Sequence, residues 1–115
     1  MRKLLAVVET AAYISKASKL MDEADRAAIV DMIASAPLSG VLIRGTGGLR
    51  KMRVALPGRG KRGGGRVIYW FHSAGYPAVL LWAFAKNEAS DLTGEQRAKL
   101  MKVANALLVD FGASK

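Results

Sequence analysis

The spacing of apolar positions changes along this chain, and each change marks a predicted element. Residues 4–9 form an aliphatic and β-branched run that predicts a first strand. From Thr10 the period lengthens: Ala11, Ile14, Ala17 and Leu20 recur as on one face of a helix. Asp22 or a neighbour caps a second helix, with Ala24, Ala28, Val30, Ile33 and Ala34 as its apolar surface and Pro37 as its stop. Acids early in that helix suit its dipole, and the two helices predict a hairpin. Residues 37–48 read as a glycine-rich connection. Three strands follow. Residues 49–56 (LRKMRVAL) alternate, with Met52, Val54 and Leu56 on one side and Lys51 and Arg53 on the other. Residues 66–72 (RVIYWFH) are aromatic and β-branched. Residues 78–85 (AVLLWAFA) are apolar on both sides, as in a covered central strand, with Ser73, Ala74 and Gly75 as the turn before them. Thr93 and Gln96 form a capping box that opens a last helix, whose stripe is Leu100, Met101, Ala104, Leu107, Leu108 and Phe111. The order βααβββα predicts an α+β fold: one domain over residues 1–115, built as a small antiparallel sheet with an N-terminal helical hairpin and a C-terminal helix.

Composition narrows the chemistry. There are no cysteines and one histidine, so disulfides, thiolate metal sites and a histidine-built zinc site are excluded. The N-terminal apolar run stops at Glu9, short of a secretory core, and residues 76–85 are too few to span a bilayer. A soluble cytoplasmic protein is expected, with no membrane partner. The net charge of +9 is unevenly spread. Between Met32 and Asn87 stand nine cations and no acid, while the flanks hold the other nine cations and all nine acids. A block of one sign points to a partner of the other, most often nucleic acid. A solvated cationic face, or a contact for an acidic protein, is the alternative.

Residues 56–66, LPGRGKRGGGR, hold five glycines, four cations and no acid. The G-x-G-x-x-G match at Gly58, Gly60 and Gly63 is not a dinucleotide fingerprint, because a strand follows it instead of a helix. Lys61 is followed by Arg62, not Ser or Thr, so it is no phosphate loop either. Mobile cations on glycines suit a curved phosphate backbone, which makes Arg59, Lys61 and Arg62 candidate RNA contacts, together with Arg50. Lys51 and Arg53, two apart on a strand, share a face, and Arg66 and Lys86 can join them at one rim as a phosphoryl site. Tyr69 and Trp70 point oppositely, so one of them can stack on a base; Tyr69 and the lone His72 are carried as RNA contacts. The missing acids of the middle segment argue against paired-carboxylate chemistry and carboxylate-held magnesium. Metal-free RNA cleavage uses the 2′-hydroxyl as nucleophile, and fixed cations can stabilise the phosphorane. Lys51 serves as the base there only if like charges around it favour its neutral form.

The segments GTGGLRKMRVALPGRGKRGGGRVIYWFH and AVLLWAFAKNEASDLTGEQR resemble the RelE/HigB toxins of bacterial type II toxin–antitoxin systems, closest to the HigB-like branch. The resemblance covers nearly the whole chain; GGLRKMR, GRVIY and AKNEASDLT carry most of it. It implies an RNase-like α/β sheet and cofactor-free, metal-independent cleavage of mRNA in the ribosomal A site. It also implies an antitoxin partner, commonly of the helix-turn-helix DNA-binding type. The catalytic basic positions of the family fall on Lys51, Arg53, Arg66 and Lys86. Where many relatives place an arginine and a tyrosine, this chain has Asn87 and Thr93. A gyrase-poisoning toxin of the ParE type and a non-catalytic RNA-binding module are the alternatives.

Overall fold

The computed structural model describes residues 4–56, 64–86 and 91–111. Its elements are β1 (Val7–Glu9), α1 (Ala11–Ala17), α2 (Glu23–Ser35), β2 (Val41–Leu42), β3 (Leu49–Val54), β4 (Gly65–Trp70), β5 (Ala78–Ala85) and α3 (Gly94–Asp110). The five strands form one sheet in the order β1-β5-β4-β3-β2. The expected α+β architecture is present, with two differences. β1 pairs parallel to β5, so the sheet is only mostly antiparallel. A fifth strand, β2, edges the sheet inside the glycine-rich connection, pairing Val41 with Lys51 and Leu42 with Arg50. Gly45, Gly47 and Gly48 all have positive φ there, a backbone that other residues rarely adopt, and so turn the chain back into β3.

Local signals explain the helices. The Thr10 hydroxyl accepts the Tyr13 N–H and donates to the Leu80 carbonyl at 2.8 Å, so one side chain caps α1 and ties it to β5. Asp22 and Asp25 cap α2 reciprocally. That helix ends ahead of Pro37, whose ring disfavours helical backbone at Ala36. Thr93 and Gln96 form the predicted capping box of α3.

Both sheet faces are covered. Tyr13, Ala17, Ile29 and Ile33 of the helical hairpin meet Met52, Val54, Val67, Tyr69, Leu80, Ala83 and Ala85. On the other face, Leu100 and Ala104 of α3 meet Leu49, Ile68, Trp70, Val79, Leu81 and Phe84. Each fully buried large side chain contributes about 1.5–3 kcal/mol relative to exposure, so these two layers carry the fold. A bulge separates the Ile68–Trp82 and Tyr69–Leu80 pairs and leaves Leu81 as the extra residue of β5. Among the described residues no helix is long and apolar enough to cross a membrane.

Candidate functional site

The register of β3 on β4 sets Arg53 directly opposite Arg66 and Lys51 opposite Ile68. Paired residues of an antiparallel ladder share a face, with Cβ atoms about 5 Å apart, and residues two apart along a strand share it too. Lys51, Arg53 and Arg66 therefore stand together, on the face that also carries Ile68 and Phe84. Arg53 is exposed, Lys51 half-exposed and Arg66 buried at 8%. The Arg66 Nη1 donates to the Gly65 carbonyl at 2.9 Å, which fixes the guanidinium along its own strand. Lys86 extends the ladder: its N–H donates to the Gly64 carbonyl at 2.9 Å, and alternation from Phe84 brings position 86 to the rim of this same face. Lys51, Arg53 and Arg66 thus share one face by register, and Lys86 follows the end of β5 next to Gly64. Beside it, a groove between α2 and the outer edge of β3 is lined by Asp25, Ala28, Ile29, Met32 and Arg53.

Other expected site residues fall elsewhere. Arg50 occupies the opposite parity from Lys51, and its Nη1 donates to the Gly40 carbonyl at 2.7 Å. Tyr69 is fully buried under the helical hairpin; its hydroxyl donates to the Pro37 carbonyl at 2.7 Å and accepts the Gly40 N–H at 2.8 Å. Trp70 is equally buried, beneath α3. Because both sheet faces are covered, neither ring has a surface on which a base can stack, which corrects the expectation for Tyr69. Arg50 likewise braces the turn before β2 instead of joining the cationic face. His72 is exposed and stacks on Trp70 at 6.1 Å and edge-on to Tyr76 at 5.1 Å. It lies at the far end of β4, about 20 Å along the strand from Arg66 at the usual rise, and takes no part in the rim. Arg59, Lys61, Arg62 and Asn87 lie outside the described residues. Thr93 is the N-cap of α3.

One member of the site escaped the reading of the sequence. Asp91, in the connection from β5 to α3, places its Oδ2 3.0 Å from the Lys51 Nζ, and its Oδ1 accepts the Leu92 N–H at 2.8 Å. The Lys51 ammonium, with help from the Leu92 N–H, holds the Asp91 carboxyl below the usual carboxylate range. The cationic face is therefore not free of acid. The premise for Lys51 as a base, an all-positive neighbourhood, is replaced by an ion pair with a carboxylate.

The arrangement suits phosphate. Arginine forks match phosphate oxygens in pairs, and a lysine ammonium adds a point charge with three donors. Like charges directly opposite on a sheet are unfavourable by themselves and favour an anion between them. Among the described residues no three His, Asp or Glu side chains gather as metal ligands would.

A family model described as the RelE toxin of the RelE / RelB toxin–antitoxin system matches residues 14–111. That span runs from the first helix to the end of the last and includes every strand that builds the cationic face. The chain belongs to the RelE toxin family of toxin–antitoxin systems, whose members are generally translation-inhibiting endoribonucleases.

Proposed function

We propose that this protein is a ribosome-dependent mRNA endoribonuclease whose Lys51, Arg53, Arg66 and Lys86 hold the scissile phosphate. The observation that carries this reading is the Arg53–Arg66 cross-strand pair with Lys51 beside it. In the reaction, the 2′-oxygen attacks the adjacent phosphorus as its proton leaves to a base. The bond from phosphorus to the 5′ oxygen breaks, that oxygen takes up a proton, and the products are a 2′,3′-cyclic phosphate and a 5′-hydroxyl. Charge accumulates on the non-bridging oxygens along the way. Guanidinium groups fixed on strands stabilise it without reorganising, and removing one such donor typically costs about a hundredfold in rate or more. This chemistry needs no cofactor, and in this reading no metal takes part. Paired with Asp91, Lys51 fits an electrostatic or proton-donating role better than that of a base.

The GGLRKMR, GRVIY and AKNEASDLT segments support placement in the HigB-like branch. On this reading the partners are mRNA in the ribosomal A site and an antitoxin of the helix-turn-helix type, and the protein acts in the cytoplasm. Induced expression with mapping of RNA 5′ ends is the test. The parent chain should arrest translation and create new 5′ ends within codons on ribosomes. Lys51→Ala, Arg53→Ala and Arg66→Ala, checked for fold by circular dichroism, should lose both effects. Toxicity equal to the parent in all three would remove the site assignment. A DNA-damage response with intact mRNA would instead indicate gyrase poisoning, and neither effect would leave a binding module.

A further inference from the structure

Lys51 carries its own anion. The Asp91 carboxylate lies 3.0 Å from the ammonium, and its second oxygen is held by the Leu92 N–H. Its position is set by the start of α3, where Thr93 and Gln96 close the capping box and Arg97 reaches back to the Arg44 carbonyl. This acid is thus presented to β3 by a fixed helix end. The contact is also a weak one: the Lys51 side chain is 29% exposed and that of Asp91 59%. Pairs of this kind shift an equilibrium by a factor of about 1.5 to 5, little enough for a phosphate to displace. The Asp91 carboxylate attenuates the charge of Lys51 on this face.

We propose that Asp91 is a phosphate surrogate that occupies Lys51 in the free protein and must be displaced before the cationic face engages RNA. This rests on the reading that the face holds phosphate. Asp91 is then a positioning residue that raises the threshold for substrate. Free RNA meets a face on which Lys51 is already answered, whereas a strand held in place by a larger assembly arrives at high effective concentration and takes Lys51 from the carboxylate. Selectivity for presented RNA over free RNA is built into the ion pair.

Fluorescence anisotropy with a labelled, non-cleavable 2′-O-methyl RNA, read across a potassium chloride titration, tests this. Asp91→Asn should bind about fivefold more tightly at low salt, and its plot of log affinity against log salt should steepen by about 0.7, the contribution of one added phosphate contact on a single strand. Asp91→Glu should behave as the parent. In a Lys51→Met background, Asp91→Asn should give no gain. An unchanged affinity and slope in Asp91→Asn would overturn the proposal, as would a gain that survives Lys51→Met, since that would reflect net charge alone. Should Lys51→Met and Arg53→Ala bind exactly like the parent, the phosphate site itself would fall. That pattern differs from failure of the surrogate, in which those two variants still weaken binding.

Discussion

Removing the hydroxyl of Tyr69 separates a structural role from an RNA-binding one. That hydroxyl bridges the Pro37 carbonyl, at 2.7 Å, and the Gly40 N–H, at 2.8 Å. The Gly40 carbonyl in turn accepts from Arg50 at 2.7 Å, so this one peptide segment is held from both sides. There is no room for a side chain here: a Cβ on Gly40 would stand 2.7 Å from the Tyr69 ring. Tyr69→Phe deletes two hydrogen bonds, each with a net value of about 1 kcal/mol, and strands a buried N–H whose desolvation raises the total to about 2–3 kcal/mol. For a domain of this size that lowers Tm by about 8–12 °C. Thermal and urea unfolding measure the loss, and anisotropy at a temperature where the variant is folded measures RNA affinity. The expected result is a large drop in stability with RNA affinity and salt slope unchanged. A variant that melts with the parent, or that stays folded and loses RNA binding, would refute the assignment of Tyr69 to the core.

Two further predictions concern stability. The Tyr13 hydroxyl is buried with no hydrogen-bond partner among the described residues, and burial foremost, then the Glu9 charge, pushes its pKa from 10 up to about 12 against the opposing effect of Arg26. The unfolded chain releases this proton first, so the contribution is complete below pH 10 and is lost as pH rises toward 12. Tyr13→Phe should be at least as stable as the parent at neutral pH, and urea midpoints should show its advantage widening between pH 10 and 12. Thr93→Ala removes the N-cap of α3 and should cost about 1 kcal/mol, with hydrogen exchange rising first at the start of that helix.

What was legible in the sequence depended on distance along the chain. The capping boxes and the alternation of Met52 and Val54 against Lys51 and Arg53 are local, and the structure reproduces them. Arg50 shares the parity of Met52, and its guanidinium goes to the Gly40 carbonyl, a partner ten residues away that its charge alone does not reveal. Tyr69 and Trp70 do point oppositely, as alternation requires, yet both are buried because helices cover both faces, a property no six-residue window contains. The parallel pairing of β1 with β5 and the two-residue β2 depend on partners far away in sequence. Asp91 was hidden for the same reason. It stands just past the acid-free segment, where only the return of the chain into α3 brings it to Lys51.

The Arg53–Arg66 pair also explains why site and core are divided as they are. Two like charges directly opposite one another cost about 0.2–1 kcal/mol. A marginal sheet would relieve the conflict by letting the strands slip. A one-residue slip, however, would turn Met52, Val54, Val67 and Tyr69 out of the hairpin-side core and Ile68 and Trp70 away from α3. The two apolar layers therefore lock the register that holds the cations together. At that pair a local rule of sheet pairing is broken where an anionic ligand can resolve the repulsion, and breaches of this kind are expected at functional sites.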